Sequence, residues 1–180
     1  QIAHFQNSIG MNKAKSVNAT LTKLNPNQLT TLIEYRMDYS ELEERLPLID
    51  LVLDCTDNLE SRYLVNELCW KHGKPLISGA AIRWEGQISM FKSSIKDSPC
   101  YQCLYPRESN ISETNLNCSE NGVVSPLVGI IGTTQAMEAI KVITGIGETL
   151  VGKVAYYDAK RNEWRKFSLP KSANCPVCAT

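Results

Sequence analysis

The stretch Leu48–Asn66, LIDLVLDCTDNLESRYLVN, limits the fold more than any other part of the chain. Leu51, Val52 and Leu53 form a short apolar run that ends in Asp54, Cys55, Thr56, Asp57 and Asn58, and a helical pattern begins at once. A continuous apolar run that ends in small polar residues and opens a helix has the form of a buried strand of a parallel sheet followed by its carboxyl-end loop. Open α/β sheets bind ligands at that end of their strands. Thr56, Asp57 and Asn58 can each cap the helix, because their side-chain oxygens accept free N–H groups of the first turn. Asp57 has two readings at this point. It is either a helix cap and nothing else, or a hard oxygen ligand for Mg²⁺ shared with phosphates.

The rest of the chain extends the pattern. A helix is expected from Lys13, with Ala14, Val17, Leu21 and Leu24 at helical spacing and a stop at Asn25-Pro26-Asn27. Lys13 at a helix start opposes the helix dipole, so it is either simply solvated or faces an anionic ligand such as a triphosphate. Leu29–Tyr35 reads as a strand, and Ser40–Leu46 as a short helix capped by Ser40 with Glu43 in the capping-box position. The helix after Asp57 is expected to stop at His72-Gly73. Lys74–Ile82 is the next strand, its Gly79-Ala80-Ala81 small enough for close approach by a ligand or another backbone. Glu85-Gly86-Gln87 reads as a turn into a hairpin partner with Ile88, Met90 and Phe91. Arg107–Gly122 reads as a long polar loop, Val123–Gly145 as a buried helix near the centre of the domain, and Lys153–Tyr157 with Glu163–Leu169 as a terminal hairpin. The sum is an α/β fold: a Rossmann-like, mostly parallel sheet, incomplete at its amino-terminal end, with an antiparallel carboxyl-terminal extension.

A chain of 180 residues with 43% hydrophobic content supports one sizeable core, so residues 1–180 read as a single domain. Nineteen basic and nineteen acidic side chains cancel, which removes any global field for nucleic acid or anionic lipid. No apolar run reads as long enough to span a bilayer, and the first residues lack the pattern of an export signal, so a cytoplasmic location is expected. Neither G-x-G-x-x-G after a strand nor G-x-x-x-x-G-K-[ST] occurs, and the chain opens abruptly without Met. It reads as a piece whose amino-terminal part lies upstream.

Seven cysteines are present, at 55, 69, 100, 103, 118, 175 and 178. An odd count without an export signal argues against a disulfide framework. Cys100/Cys103 and Cys175/Cys178 form two C-x-x-C pairs, and a two-residue gap lets both thiolates of a pair reach one ion. Four thiolates with no open position suit a structural Zn²⁺ that staples the hairpin and tail, residues 153–180, to the first pair. The alternative is a set of independent buried or redox cysteines.

These motifs together point to a family. LVLDCTDN at 51–58, Arg62 with Asn66, GAAIRWEGQI at 79–88, PCYQCLYP at 99–106, Asn117-Cys118, GVVSPLVG at 122–129, QAMEAIK at 135–141 and CPVC at 175–178 occur in family order. The chain thereby resembles about the carboxyl-terminal two thirds of the ThiF and MoeB type of sulfur-carrier-protein adenylyltransferase, which is similar to the adenylation domain of ubiquitin-activating enzymes. The resemblance implies that ATP and the carboxyl-terminal glycine of a ubiquitin-like carrier ending in Gly-Gly combine into an acyl adenylate and pyrophosphate. It implies that Asp57 binds Mg²⁺ and that Lys13 contacts the phosphates, with Asn58, Arg62 and Asn66 supporting the aspartate or lining the pocket. A metal and a fixed cation suit a displacement at the α-phosphate because both stabilise charge that develops there. Cys118 matches a cysteine on the crossover loop, about 107–122, that in some members links covalently to the carrier.

The resemblance also implies a homodimer and a sulfurtransferase or cysteine desulfurase as partner, in thiamine or molybdopterin biosynthesis. The glycine-rich nucleotide loop and the arginines of the family's first part are not in this chain. The isolated chain is therefore expected to lack ATP–pyrophosphate exchange. A zinc-stabilised, non-catalytic module that binds a ubiquitin-like partner is the alternative for the chain alone. A nicotinamide-dependent oxidoreductase would need a dinucleotide loop, which is missing.

Overall fold

The computed structural model describes residues 3–107 and 122–179, which form two compact units, Gln1–Leu42 and Glu43–Thr180. The first unit is built on helix α1, Lys13–Leu24, capped by the Asn12 side chain, which accepts from the Ala14 N–H at 2.9 Å. Within this unit His4 Nδ1 meets the Ser16 hydroxyl at 2.7 Å, and Thr20 donates to the Ala3 carbonyl at 2.8 Å. The strand expected over Leu29–Tyr35 does not form. Leu29, Leu32 and Tyr35 stand exposed, and the segment pairs with no strand among the described residues, so strand-like composition alone did not make a strand of it.

Helix α2, Tyr39–Arg45, forms as expected but starts one residue earlier. Its cap is Asp38, not Ser40. The Asp38 carboxylate accepts from the Glu41 N–H at 2.9 Å while Glu41 accepts from the Asp38 N–H at 3.0 Å, a reciprocal capping box. Glu43 is left to bind Lys71 at 2.6 Å and His72 at 3.3 Å.

The second unit holds a five-stranded sheet in the order β1-β2-β3-β4-β5, with β1 Val52–Asp54, β2 Leu76–Ile82, β3 Glu85–Phe91, β4 Lys153–Asp158 and β5 Glu163–Ser168. β1 and β2 are parallel, joined by the crossover helix α3, Leu59–Lys71; the other three pairings are antiparallel. The expected antiparallel extension therefore supplies most of the sheet among the described residues. The turn between β2 and β3 falls at Arg83-Trp84, two residues before the expected position, with Arg83 at φ 53°.

Gly86 lies inside β3 for a packing reason. A Cβ there would come within 2.5 Å of the Ile131 side chain. Ile131 belongs to α5, Ser125–Thr144, which lies across the sheet and buries Leu127, Ile131, Gln135, Glu138 and Ala139. Ile77, Ile88, Met90, Ala139, Leu150 and Ala155 form the core between helix and sheet. The expectation that α5 is buried all round is corrected: Met137, Ile140 and Ile143 are exposed on its outer side. By length and composition α5 would also pass for a bilayer span, which the sequence reading had not credited, yet its inner face is committed to the sheet. α4, Tyr101–Leu104, is a single turn on the other side, where Tyr101 meets Phe91 edge-on at 6.1 Å between ring centres.

Candidate functional site

The carboxyl end of β1 is where chemistry-bearing side chains converge. Asn58 is the N-cap of α3, its Oδ1 accepting from the Ser61 N–H at 2.9 Å. Asp57 is thus not the cap. Its exposed carboxylate sits one residue ahead of the N-cap and, among the described residues, accepts a single long 3.4 Å hydrogen bond, from the Asn58 amide. An exposed carboxylate beside the N-terminus of a helix, at the ligand-binding end of a parallel strand, has open oxygens for a hard cation.

The loop that presents Asp57 is held from beneath. Asp54, 3% exposed, accepts from the Thr56 N–H at 3.0 Å and the Thr56 hydroxyl at 2.7 Å, and from the Ser78 hydroxyl at 3.1 Å. Arg62 reaches the same group from α3. Its Nη1 donates to the Ser78 hydroxyl at 3.0 Å and lies 3.5 Å from the Asp54 carboxylate, while Nη2 donates to the Gly79 carbonyl at 2.9 Å and to the Thr56 carbonyl. An internal charge pair of this kind holds its geometry because nearly every donor has a protein acceptor. Asn66, one helical turn on, is fully buried and accepts from the Tyr101 N–H at 2.8 Å, while its Nδ2 has no partner among the described residues. Arg62 is thus committed to Asp54, Thr56, Ser78 and Gly79, and the Asn66 oxygen to the backbone of Tyr101.

Gln135, which the sequence reading quoted only as part of a motif, arrives from the opposite face. Its Nε2 donates to the Asp54 carbonyl at 3.0 Å and the Ile77 carbonyl at 3.2 Å, and its Oε1 lies 3.5 Å from the Cys55 sulfur. Burial, and then the nearby Asp54 charge, push the Cys55 thiol above its usual value, which keeps it protonated and able to donate to Gln135.

A second cluster sits at the other end of the unit. The sulfurs of Cys100, Cys103, Cys175 and Cys178 all lie within 4.8 Å of one another. Across the two pairs, Cys100 lies 3.5 Å from Cys175 and Cys103 3.3 Å from Cys178. Zinc–sulfur bonds of about 2.3 Å in a tetrahedron require sulfurs about 3.8 Å apart, so the four thiols fit such an ion with small adjustments. The Ser172 N–H donates to the Cys103 sulfur at 3.4 Å, the type of outer contact that orients a thiolate ligand.

Lys13 is exposed at the first position of α1. Cys118 and most of the polar stretch 107–122 lie outside the described residues.

A model of the ThiF family matches residues 1–177. The chain belongs to the ThiF family. It is 41% identical over 178 residues to the molybdopterin-synthase adenylyltransferase of Escherichia coli K12, spanning 99% of this chain and 70% of that protein. It is 37% identical to the adenylyltransferase and sulfurtransferase MOCS3 of Xenopus laevis, of which it spans 39%. Among solved structures, E. coli MccB with ATP superposes with a TM-score of 0.80 at 19% identity, over all of this chain and 55% of that one, which establishes a shared fold. This ThiF-family chain thus covers the larger part of its bacterial relative and well under half of MOCS3.

Proposed function

We propose that the protein containing this chain adenylylates the carboxyl-terminal glycine of a ubiquitin-like sulfur carrier ending in Gly-Gly. The carrier's terminal carboxylate attacks the α-phosphorus of ATP, the α–β phosphoanhydride bond breaks, and pyrophosphate leaves. The observation that carries this reading is the Asp57 carboxylate, released from helix capping by Asn58 and exposed at the end of β1. Asp57 fits a Mg²⁺ ligand by its hard oxygens and its position, and a bound Mg²⁺ would stabilise the charge that builds on the phosphates. Lys13 is assigned to the phosphates, and Arg62 and Asn66 fix the elements around the aspartate. The adenylyltransferase names of the relatives support the reaction, and they favour the molybdopterin over the thiamine route.

Zn²⁺ is the ion best suited to the four cysteines, where it would hold the tail and do no chemistry. Cys118 is assigned the covalent step, its thiolate displacing AMP from the acyl adenylate to leave the carrier as a thioester. The sulfur donor would be a sulfurtransferase or cysteine desulfurase. A second copy of the chain is the partner assigned to Met137, Ile140 and Ile143 on the outer side of α5, where single apolar residues recur every third position.

The test is to mix the full-length protein with ATP, Mg²⁺ and a Gly-Gly-ended carrier. The carrier is then weighed for an added AMP, and exchange of labelled pyrophosphate into ATP is followed. Formation of the adenylate, lost in Asp57→Ala, is the expected result; its absence from active-looking folded protein overturns the assignment. Residues 1–180 alone are expected to give no exchange, while still binding zinc and the carrier if the chain acts as a binding module.

A further inference from the structure

We propose that Gln135 is a positioning residue for the Asp57 loop, and that Gly79 is glycine so that Gln135 can reach it. The inference rests on the assignment of Asp57 to magnesium-bound nucleotide. Arg62 and Gln135 grip the same strand end from opposite faces of the sheet. Arg62 comes from α3, onto the Asp54 carboxylate and the Thr56 carbonyl. Gln135 comes from α5, onto the Asp54 carbonyl, the Ile77 carbonyl and the Cys55 sulfur. Gly79 serves both. Its carbonyl accepts from Arg62 at 2.9 Å, and a Cβ on it would lie 2.4 Å from the Gln135 side-chain carbon and amide oxygen.

Gln135 is 3% exposed, with both amide atoms in use, and apart from Glu138 the other residues its helix buries, Leu127, Ile131 and Ala139, are apolar. An apolar residue of similar volume would fill that space as well for packing alone. A buried amide in a mainly apolar face costs desolvation unless its hydrogen bonds are made, so its presence is explained by the bonds themselves. Two of those bonds end on the last residue of β1 and the first of the loop, three and two positions before Asp57. Side chains that orient a ligand-bearing segment without touching the ion change metal affinity by about 10–100-fold when removed.

The test uses the full-length protein and measures binding of Mg²⁺ with a non-hydrolysable ATP analogue by calorimetry. Amide hydrogen exchange at residues 55–58 is followed without ligand. Gln135→Met keeps the volume and removes the donor. The expected result is binding of the magnesium nucleotide weakened by roughly tenfold, faster exchange at 55–58, and a KM for the carrier that stays within twofold of wild type. Gly79→Ala pushes the same side chain away from the other direction and should reproduce the loss, and it carries the test if Gln135→Met does not fold. Unchanged nucleotide binding with unchanged exchange at 55–58 overturns the role of Gln135. If Asp57→Ala itself binds the magnesium nucleotide normally, it is the assignment of Asp57 that fails. Loosened exchange in the Gln135 and Gly79 variants would then still report the clamp.

Discussion

Replacing Arg62 by Ala should be among the most damaging single changes in the second unit. The side chain is 7% exposed and the Asp54 side chain 1% exposed, with 3.5 Å between nitrogen and oxygen. Removing the guanidinium leaves a buried carboxylate whose remaining donors are Ser78 and Thr56, and it strips the Thr56 and Gly79 carbonyls of a donor. Breaking a buried pair by removing one partner costs about 3–5 kcal/mol. For a chain of this size that lowers the melting midpoint on the order of 10 °C. Urea denaturation followed by far-ultraviolet circular dichroism would give the free energy directly, and Asp54→Asn supplies the control. With the buried charge gone, Arg62→Ala should cost less by about 1 kcal/mol or more, a coupling in the range seen for contacting residues. A cost under about 1 kcal/mol for Arg62→Ala, within the range of exposed ion pairs, would show that the pair is not the support described. So would full additivity with Asp54→Asn.

Other consequences can be checked with standard assays. Elemental analysis should find about one zinc per chain if the cysteine tetrad is filled, and a strong chelator should lower the melting midpoint; a Cys178→Ser variant should show both losses without chelator. Gly86→Ala should cost about 1–3 kcal/mol through overpacking against Ile131, and the cost should largely vanish in an Ile131→Ala background. Lys71, and then His72, hold the Glu43 carboxyl below its ordinary value of 4.5. Its contribution to stability is therefore complete above pH 4.5 and is lost as pH falls through and below that point. Titrating stability against pH should show this acid-side loss in the wild type and its absence in Glu43→Gln.

The strand β1, its crossover helix and the terminal hairpin were legible because each carried a recognisable pattern, although β1 stands at the edge of the described sheet with Leu53 exposed, not buried inside it. Leu51–Leu53 ended in cap residues, and Glu163–Leu169 alternated beside a partner. The cysteine tetrad was legible from spacing alone. Glycines were the main source of error. Gly86 looked like a turn residue, and Gly79 like a place for a ligand or another backbone. Both are vacant for side chains from α5, a contact 45 or more positions away in the chain that local pattern cannot encode. Leu29–Tyr35 read as a strand but has no strand partner among the described residues, since pairing depends on the rest of the sheet. Gln135 had one available signal, a polar residue on the otherwise apolar row of a helix.

The cysteine tetrad has a consequence for the chain's connectivity. An ion shared by Cys100 and Cys175, 75 positions apart, would close the polypeptide into a ring that contains α5 and the β4–β5 hairpin. Closing a ring of that length restricts the unfolded chain by about 4 kcal/mol in the cross-link treatment. A peptide-bond cut anywhere inside the ring would leave one connected molecule for as long as the ion stayed in place.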